Sequence, residues 1–318
     1  MADHRLEEAV AHSVAYLGSA EAAASLARDP YWPKWNSPWW HALALLEAGR
    51  AAAIPGGAAR ALMEASASHY LPFFPRGEAD LPAGKDWYRQ VMCHCALGSL
   101  LRLLLACGLD GEEGIPWSRG WFARYRLPDG GCNCDELAYG RAEPKSSILS
   151  TLPPLEHLLA RSSVRPLSRE ELDFLDGGAA YLLRHRLVCS IRTGQVVRPG
   201  WLEPVLPRFY EYDALRGLSF VVAWAEARRR PLARRDLQVA LDGLARWLDP
   251  AAGARPRRWH EEHETRLSPT PAASGWGPST TFPLLQALRE GEAGRALLEA
   301  EWRGVQQAMD RLGAAGLL

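Results

Sequence analysis

The chain has 318 residues, and 47% of them are hydrophobic, which is enough apolar material for a substantial core. Its 37 basic and 37 acidic side chains cancel to a formal net charge of zero, which argues against a globally cationic nucleic-acid or membrane binder. The amino-terminal segment is polar where a signal peptide is apolar, and the later apolar run LLRLLLACGL is short and interrupted by Arg102. We therefore expect a cytoplasmic chain with no membrane span and no nucleic-acid partner.

The predicted elements are helices along the whole chain. Apolar residues recur at helical spacing, whereas alternating runs of β-branched residues are scarce. The sequence therefore predicts an all-α chain, with helices over residues 5–19, 36–49, 58–74, 88–108, 116–126, 145–162, 169–188, 208–229, 233–249, 278–289 and 295–315.

Five of these helices share one apolar register. The aligned reference positions are His41, Cys95, Ser150, Asp213 and Thr280. Two residues after each reference position stands an apolar side chain, and five residues after it stands a leucine: Leu46, Leu100, Leu155, Leu218 and Leu285. Each interval between reference positions accommodates a helical hairpin, and hairpins cover such a stripe only by stacking on one another. We predict one domain over 1–318, an (α/α) toroid of five to six hairpins with the patterned helices inside, in preference to an open solenoid.

A glycine-rich turn carries a family resemblance. The segment LPDGGCNCDE (127–136), followed by KSSILSTLPPLEHLL, resembles the repeat of squalene and terpene cyclases and of protein prenyltransferase β-subunits, and MCHCALGSLL (92–101) resembles one of their inner helices. The resemblance implies a toroid that holds an apolar or prenyl substrate in a central cavity. The D-x-D-D acid motif of the cyclases is missing, and alignment of Cys93 with the zinc-binding cysteine of the prenyltransferases puts Val91 where that family has aspartate. The α-subunit that partners those prenyltransferases is a separate chain, which this sequence does not reveal.

The reference positions supply the first candidate site residues. His41, Cys95 and Asp213 are competent zinc ligands and would lie near one mouth of the ring. With Tyr212, they are also our candidates for acid–base catalysis. The structural alternative is that Ser150, Asp213 and Thr280 cap helices, because Ser, Asp and Thr are preferred amino-terminal caps.

The six cysteines, too few for a disulfide-supported fold, supply a second candidate metal site. Cys132 and Cys134 could hold a soft metal ion with further ligands from the Cys93–Cys95 cluster. The alternative is that both are small side chains packed in the turn.

Aromatic and basic residues near the reference positions could bind a substrate. Rings would contact an apolar tail, and a guanidinium group would grip a diphosphate. Ordinary pairing of Arg208 with Glu211 is the alternative. The candidate substrate-binding residues are Trp40, His94, Arg208, Tyr210 and Thr280.

Two functional classes fit this sequence. The first is an enzyme that acts on a prenyl or other apolar substrate in the central cavity. The second is a binding or scaffold protein that keeps the toroid without the D-x-D-D and zinc motifs. The sequence alone does not identify the substrate.

Overall fold

The computed structural model describes residues 2–248, 264–266, 276–278 and 281–318. These residues are mostly helical, which confirms the helical class. The helices are α1 (Ala2–Leu17), α2 (Ala20–Arg28), α3 (Pro38–Glu47), α4 (Gly56–His69), α5 (Trp87–Gln90), α6 (His94–Ala106), α7 (Gly111–Gly114), α8 (Trp121–Arg124), α9 (Ile148–Ser162), α10 (Arg169–Arg184), α11 (Ala214–Arg228), α12 (Arg234–Leu248), α13 (Pro283–Glu290) and α14 (Glu292–Ala314). Two short strands that the sequence does not predict, β1 (Glu264–Arg266) and β2 (Trp276–Pro278), pair antiparallel with Thr265 opposite Gly277.

Six helices contact one another in a closed series. Helix α3 contacts α6, α6 contacts α9, and α9 contacts α11; α11 then contacts α14, α14 contacts α13, and α13 contacts α3 again. Other helices pack against this series: α1 contacts α3, α13 and α14, α10 contacts α9 and α11, and α12 contacts α11. Within the described part of the chain, no helix is both long and apolar enough to cross a membrane.

The apolar register of the sequence corresponds to the core. Leu97, Leu100, Leu155 and Leu218 are all fully buried, and Leu46 is the half-buried exception. The stripe is covered because each patterned helix packs against neighbours in the closed series. The shared register therefore predicted which helix faces are buried.

Helices α6 and α9 approach each other closely at Gly98. A Cβ atom on Gly98 would lie 2.4 Å from the backbone nitrogen of Pro154 and 2.5 Å from the carbonyl carbon of Pro153. The two backbones can touch only because residue 98 has no side chain. This contact brings the amino-terminal ends of α6 and α9 together.

Several helix starts differ from the prediction. The long helix predicted from residue 88 is interrupted, and α6 starts only after Cys93, whose backbone is extended. Ser150 does not cap α9, which begins two residues earlier, where the Ser147 hydroxyl accepts a hydrogen bond from the Ser150 amide. Asp213 does cap α11 by accepting from the Arg216 amide at 2.8 Å. Helix α2 was missed altogether.

Candidate functional site

A cavity of about 370 Å³ lies at the amino-terminal ends of α6 and α9, and we call it the aromatic cavity. Helix α6 contributes Cys95 and Ala96, and α9 contributes Leu149 and Ser150. The aromatic members of its wall are Tyr31, Trp32, Tyr70, Phe74, Trp87, Tyr88 and Tyr210. An enclosure of this size and composition suits a small, largely apolar molecule.

The aromatic wall is held by a buried carboxylate. Asp29 Oδ1 accepts hydrogen bonds from the amides of Tyr31 and Trp32, both at 2.9 Å, and its Oδ2 accepts from Arg89 Nη1 at 2.8 Å. The indole nitrogen of Trp32 donates to the carbonyl oxygen of Tyr88 at 2.9 Å. These bonds fix the segment after α2 against the segment before α6, so the aromatic rings have defined positions.

Lys34 brings a positive charge to this wall. Its ammonium nitrogen donates to the Tyr210 hydroxyl at 3.2 Å. It also lies 5.2 to 5.6 Å from the centroids of four rings, those of Tyr31, Trp32, Trp35 and Tyr210. These distances are typical of cation–π contacts. Burial lowers the pKa of Lys34, and the neighbouring Cys93 and Cys95 act in the opposite direction.

Three thiols form another part of the cavity wall. Cys93 precedes α6, Cys95 is the second residue of α6, and Cys134 lies in the turn before α9. The sulfur atoms of Cys95 and Cys134 are 3.6 Å apart, and Cys93 lines the same cavity close enough to influence the pKa of Cys134. We call these three residues the thiol cluster. Two residues from the first C-x-C motif and one from the second therefore meet in space.

Cys134 is the member of the thiol cluster that ionises first. Hydrogen bonds from Cys93 and Cys95 hold the pKa of Cys134 well below its ordinary value, with further contributions from His94 and Ser150, although burial opposes them. The same contacts and burial raise the pKa of Cys95. The thiolate is the nucleophilic form of cysteine, and these surroundings favour it at Cys134 rather than at Cys95.

The glycine-rich turn positions Cys134. Pro154 has no amide hydrogen to donate to the Ser150 carbonyl inside α9, and the Cys132 thiol donates to this oxygen instead, at 3.2 Å. The Cys134 amide donates to the Ser150 hydroxyl at 3.0 Å. Gly130 has a positive φ of 104° and packs on the backbone of Gly177, where a Cβ atom would not fit.

A second cavity of about 540 Å³, which we call the charged cavity, lies among α3, α6, α9, α11 and α14. Its arginines are paired with carboxylates. Arg102 and Arg216 both contact Glu156, at 3.0 and 2.7 Å. An anionic ligand here would have to displace these carboxylates, so the charged cavity is not a prepared anion site.

The segment 205–213 separates the two cavities. Arg208 faces the charged cavity and Tyr210 faces the aromatic cavity, while Phe209 between them is only 1% exposed. Phe209 has a φ of 56°, which is unfavourable for a bulky side chain. The amides of Arg208 and Phe209 both donate to the Glu47 carboxylate, and the Ser99 hydroxyl donates to the Phe209 carbonyl at 3.4 Å. These bonds hold the strained segment in place.

The predicted zinc ligands are not brought together. His41 is 1% exposed, stacks on Phe282 at 3.7 Å and hydrogen-bonds with Ser13. Asp213 is buried against Arg208, whereas Cys95 lies in the thiol cluster. The described residues contain no group of three or more His, Cys, Asp or Glu side chains that could hold a metal ion.

The predicted acid–base residues have structural partners. Burial lowers the pKa of His41 to about 3, so its ring is neutral. The hydroxyl of Tyr212 donates to the Leu187 carbonyl at 2.8 Å, and Asp213 accepts from the Val205 amide as well as capping α11. Of the predicted catalytic residues, only Cys95 lines the aromatic cavity.

The predicted substrate-binding residues are divided among different places. Tyr210 lines the aromatic cavity, whereas Arg208 faces the charged one and pairs with Asp213 and Glu301. Trp40 lies behind the aromatic wall, where its indole donates to the Tyr31 carbonyl at 2.9 Å. Thr280 lies outside the described residues.

His94 belongs to a buried network. Its Nδ1 accepts from the Trp121 indole at 2.8 Å, so the proton is on Nε2, which contacts the Tyr139 hydroxyl at 2.9 Å. Of the second-choice metal ligands, Cys132 packs against α9 and Cys134 joins the thiol cluster.

Sequence reasoning missed Lys34 and the aromatic wall before α3. The sequence does mark this segment, because Lys34 is one of only three lysines and lies inside the aromatic run PYWPKWNSPWW.

Comparison of the chain with protein-family models, with curated proteins and with solved structures gives no match.

Proposed function

We propose that the chain binds a largely apolar small molecule in the aromatic cavity and acts on it through the Cys134 thiolate. One observation carries this proposal: a ligand-sized cavity has aromatic rings on its wall and the thiol cluster beside them. This is the first of the two functional classes that fit the sequence, with its site at the amino-terminal ends of α6 and α9.

The proposal includes the (α/α) toroid. The closed contact series of α3, α6, α9, α11, α14 and α13 supports it, as does the glycine-rich turn that leads into α9. In a toroid, the amino-terminal ends of neighbouring inner helices converge at one mouth. The aromatic cavity, between the starts of α6 and α9, is where such a mouth would be.

The chemistry follows from the thiolate. Its sulfur would form a bond to an electrophilic carbon of the ligand, and the displaced electron pair would move to an electronegative atom or to a leaving group. Lys34, the cation on the same wall, would stabilise the negative charge that develops there. Aromatic rings would hold the apolar body of the ligand in position.

A second candidate is a binding protein without catalysis. It is favoured by one observation, namely that His41, Tyr212 and Asp213 are all engaged in structural contacts. The two candidates share the aromatic cavity and differ in whether Cys134 reacts.

Alkylation with N-alkylmaleimides tests both parts of the proposal. We expect Cys134 to react first and N-octylmaleimide to react at least about tenfold faster than N-ethylmaleimide. Burial of only two of its six additional methylenes, at about 0.8 kcal/mol each, already corresponds to about that factor. Rates and sites are measured by intact-mass kinetics and peptide mapping. A shift in melting temperature with the unreactive N-octylsuccinimide reports binding alone.

Helix α9 offers a test variant and a matched control. Leu149→Trp fills part of the aromatic cavity and should abolish the preference for the octyl chain, whereas Leu159→Trp alters the charged cavity and should keep it. An octyl preference that is missing at Cys134, or that survives Leu149→Trp, contradicts the proposal. Binding of the succinimide without alkylation of Cys134 would favour the non-catalytic candidate.

A further inference from the structure

Cys95 and Cys134 are in van der Waals contact through their sulfur atoms. The Sγ atoms are 3.6 Å apart, and a disulfide bond requires about 2.0 Å. Side-chain rotation with a small shift of the turn that carries Cys134 would close this gap. Of the two cysteines, Cys95 is the more firmly held, because it lies in the first turn of α6 and is 8% exposed.

The two thiols are chemically different. Cys134 is half-buried at the cavity wall, where an oxidant that enters the cavity can reach it. Cys95 lies beside it on the same cavity wall as a protonated neighbour, because its contacts and burial raise its pKa. A cavity-lining thiolate with a second thiol next to it is the arrangement of a redox-active pair.

We propose that Cys134 and Cys95 form a reversible disulfide, and that an organic hydroperoxide admitted by the aromatic cavity oxidises Cys134 first. The inference shares the cavity and the Cys134 thiolate with the proposed function.

The reaction has two steps. First, the Cys134 sulfur attacks the terminal peroxide oxygen, the O–O bond breaks, and the alcohol leaves after taking up a proton, so that Cys134 becomes a sulfenic acid. Next, the Cys95 sulfur attacks the Cys134 sulfur, the S–O bond breaks, and water leaves with the thiol proton. In sum, two thiols and one hydroperoxide give one disulfide, one alcohol and one water. A dithiol reductant returns two electrons and two protons and restores both thiols.

The full-length, prereduced protein is treated with one equivalent of cumene hydroperoxide or of hydrogen peroxide. We expect an intramolecular loss of two hydrogen masses, a Cys95–Cys134 peptide in a non-reducing map, and recovery with dithiothreitol. The Cys95→Ser variant should instead accumulate a sulfenic acid at Cys134 that dimedone traps. Formation of a Cys93–Cys134 bridge, of bridges between chains only, or of no bridge would overturn the inference, as would a stoichiometric metal ion that holds both thiols.

Two variants keep the test independent of misfolding. Cys132→Ser removes a thiol of the same turn that points to the Ser150 carbonyl, and Cys93→Ser removes the third thiol of the cluster. Both should still form the Cys95–Cys134 bridge, and loss of the bridge in Cys93→Ser with an unchanged melting temperature contradicts the assignment. We expect the bridge to form faster with cumene hydroperoxide than with hydrogen peroxide, and equal rates would overturn the role of the aromatic cavity as the entry site of the oxidant. If no bridge forms while the preference for N-octylmaleimide persists, the disulfide inference is wrong and the proposed function is unaffected.

Discussion

Glu156 connects two arginines in the charged cavity. Arg216 approaches it as a fork, with nitrogen–oxygen distances of 2.8 and 2.7 Å, and Arg102 adds a contact at 3.0 Å. Burial alone would raise the pKa of Glu156, but the charges of Arg216 and Arg102 outweigh burial and lower the pKa to about 2. The carboxylate therefore stabilises the folded chain in its charged form.

We predict that Glu156→Gln lowers the free energy of unfolding by about 3 kcal/mol at neutral pH, because it leaves Arg216 buried without its partner. The folded-state pKa lies below the ordinary value of 4.5, so the stabilisation is complete above that pH and is lost as the pH falls towards 2. Urea unfolding at several pH values should show the two proteins converging below pH 4.5. The matched control is Glu64→Gln on the exposed face of α4, which should change little. A difference between wild type and Glu156→Gln that does not vary with pH would refute this account.

At the residue scale, the sequence indicates which side chains could carry chemistry better than it indicates which residues they contact. It marked Cys95, Cys134 and Tyr210, which do line the aromatic cavity. It also marked His41, whose partners are Ser13 in α1 and Phe282 immediately before α13. Spacing places a residue on a helix face, but only tertiary packing decides which neighbour occupies that face.

At the element scale, the contact between α6 and α9 positions the site. The sequence predicts this helix contact only in part. The shared register identified the buried face of each helix, but not the backbone contact at Gly98. Nor could it show that Ser147 caps α9, because serine is an equally good cap at positions 146, 147 and 150.

We predict that Gly98→Ala destabilises the protein by about 1 to 3 kcal/mol, because the new methyl group meets the backbone of α9. Gly304→Ala in α14 is the control, since no atom lies near its Cβ position. That exposed helical glycine should gain about 0.5 to 1 kcal/mol on substitution. Denaturant unfolding measures both, and a Gly98→Ala variant as stable as the wild type would show that α6 and α9 do not touch.

At the scale of the whole molecule, the sequence predicted one central cavity lined from equivalent positions. Among the described residues, the aromatic and charged cavities have different linings and lie on either side of segment 205–213. The bulky Phe209 is buried in this segment, and the Glu47 carboxylate accepts a hydrogen bond from its backbone amide. Such a crossing depends on a loop conformation with a positive φ at phenylalanine, which no helical register encodes.

Segment 205–213 keeps two kinds of ligand-binding side chain apart. Arginines that could grip a phosphate face the charged cavity, where carboxylates occupy them, whereas aromatic rings and thiols face the other cavity. A ligand that fits the aromatic cavity needs an apolar body more than a doubly charged head group. This favours an uncharged or singly charged apolar substrate over a prenyl diphosphate.

The crystal structure of the chain after reaction with N-octylmaleimide is the most direct test of the aromatic cavity as the ligand site. The account predicts a covalent bond from Cys134 Sγ to the succinimide ring, with the octyl chain against Tyr31, Trp32 and Tyr210. An octyl chain that extends into solvent or enters the charged cavity, or an adduct confined to Cys107 or Cys189, would contradict it.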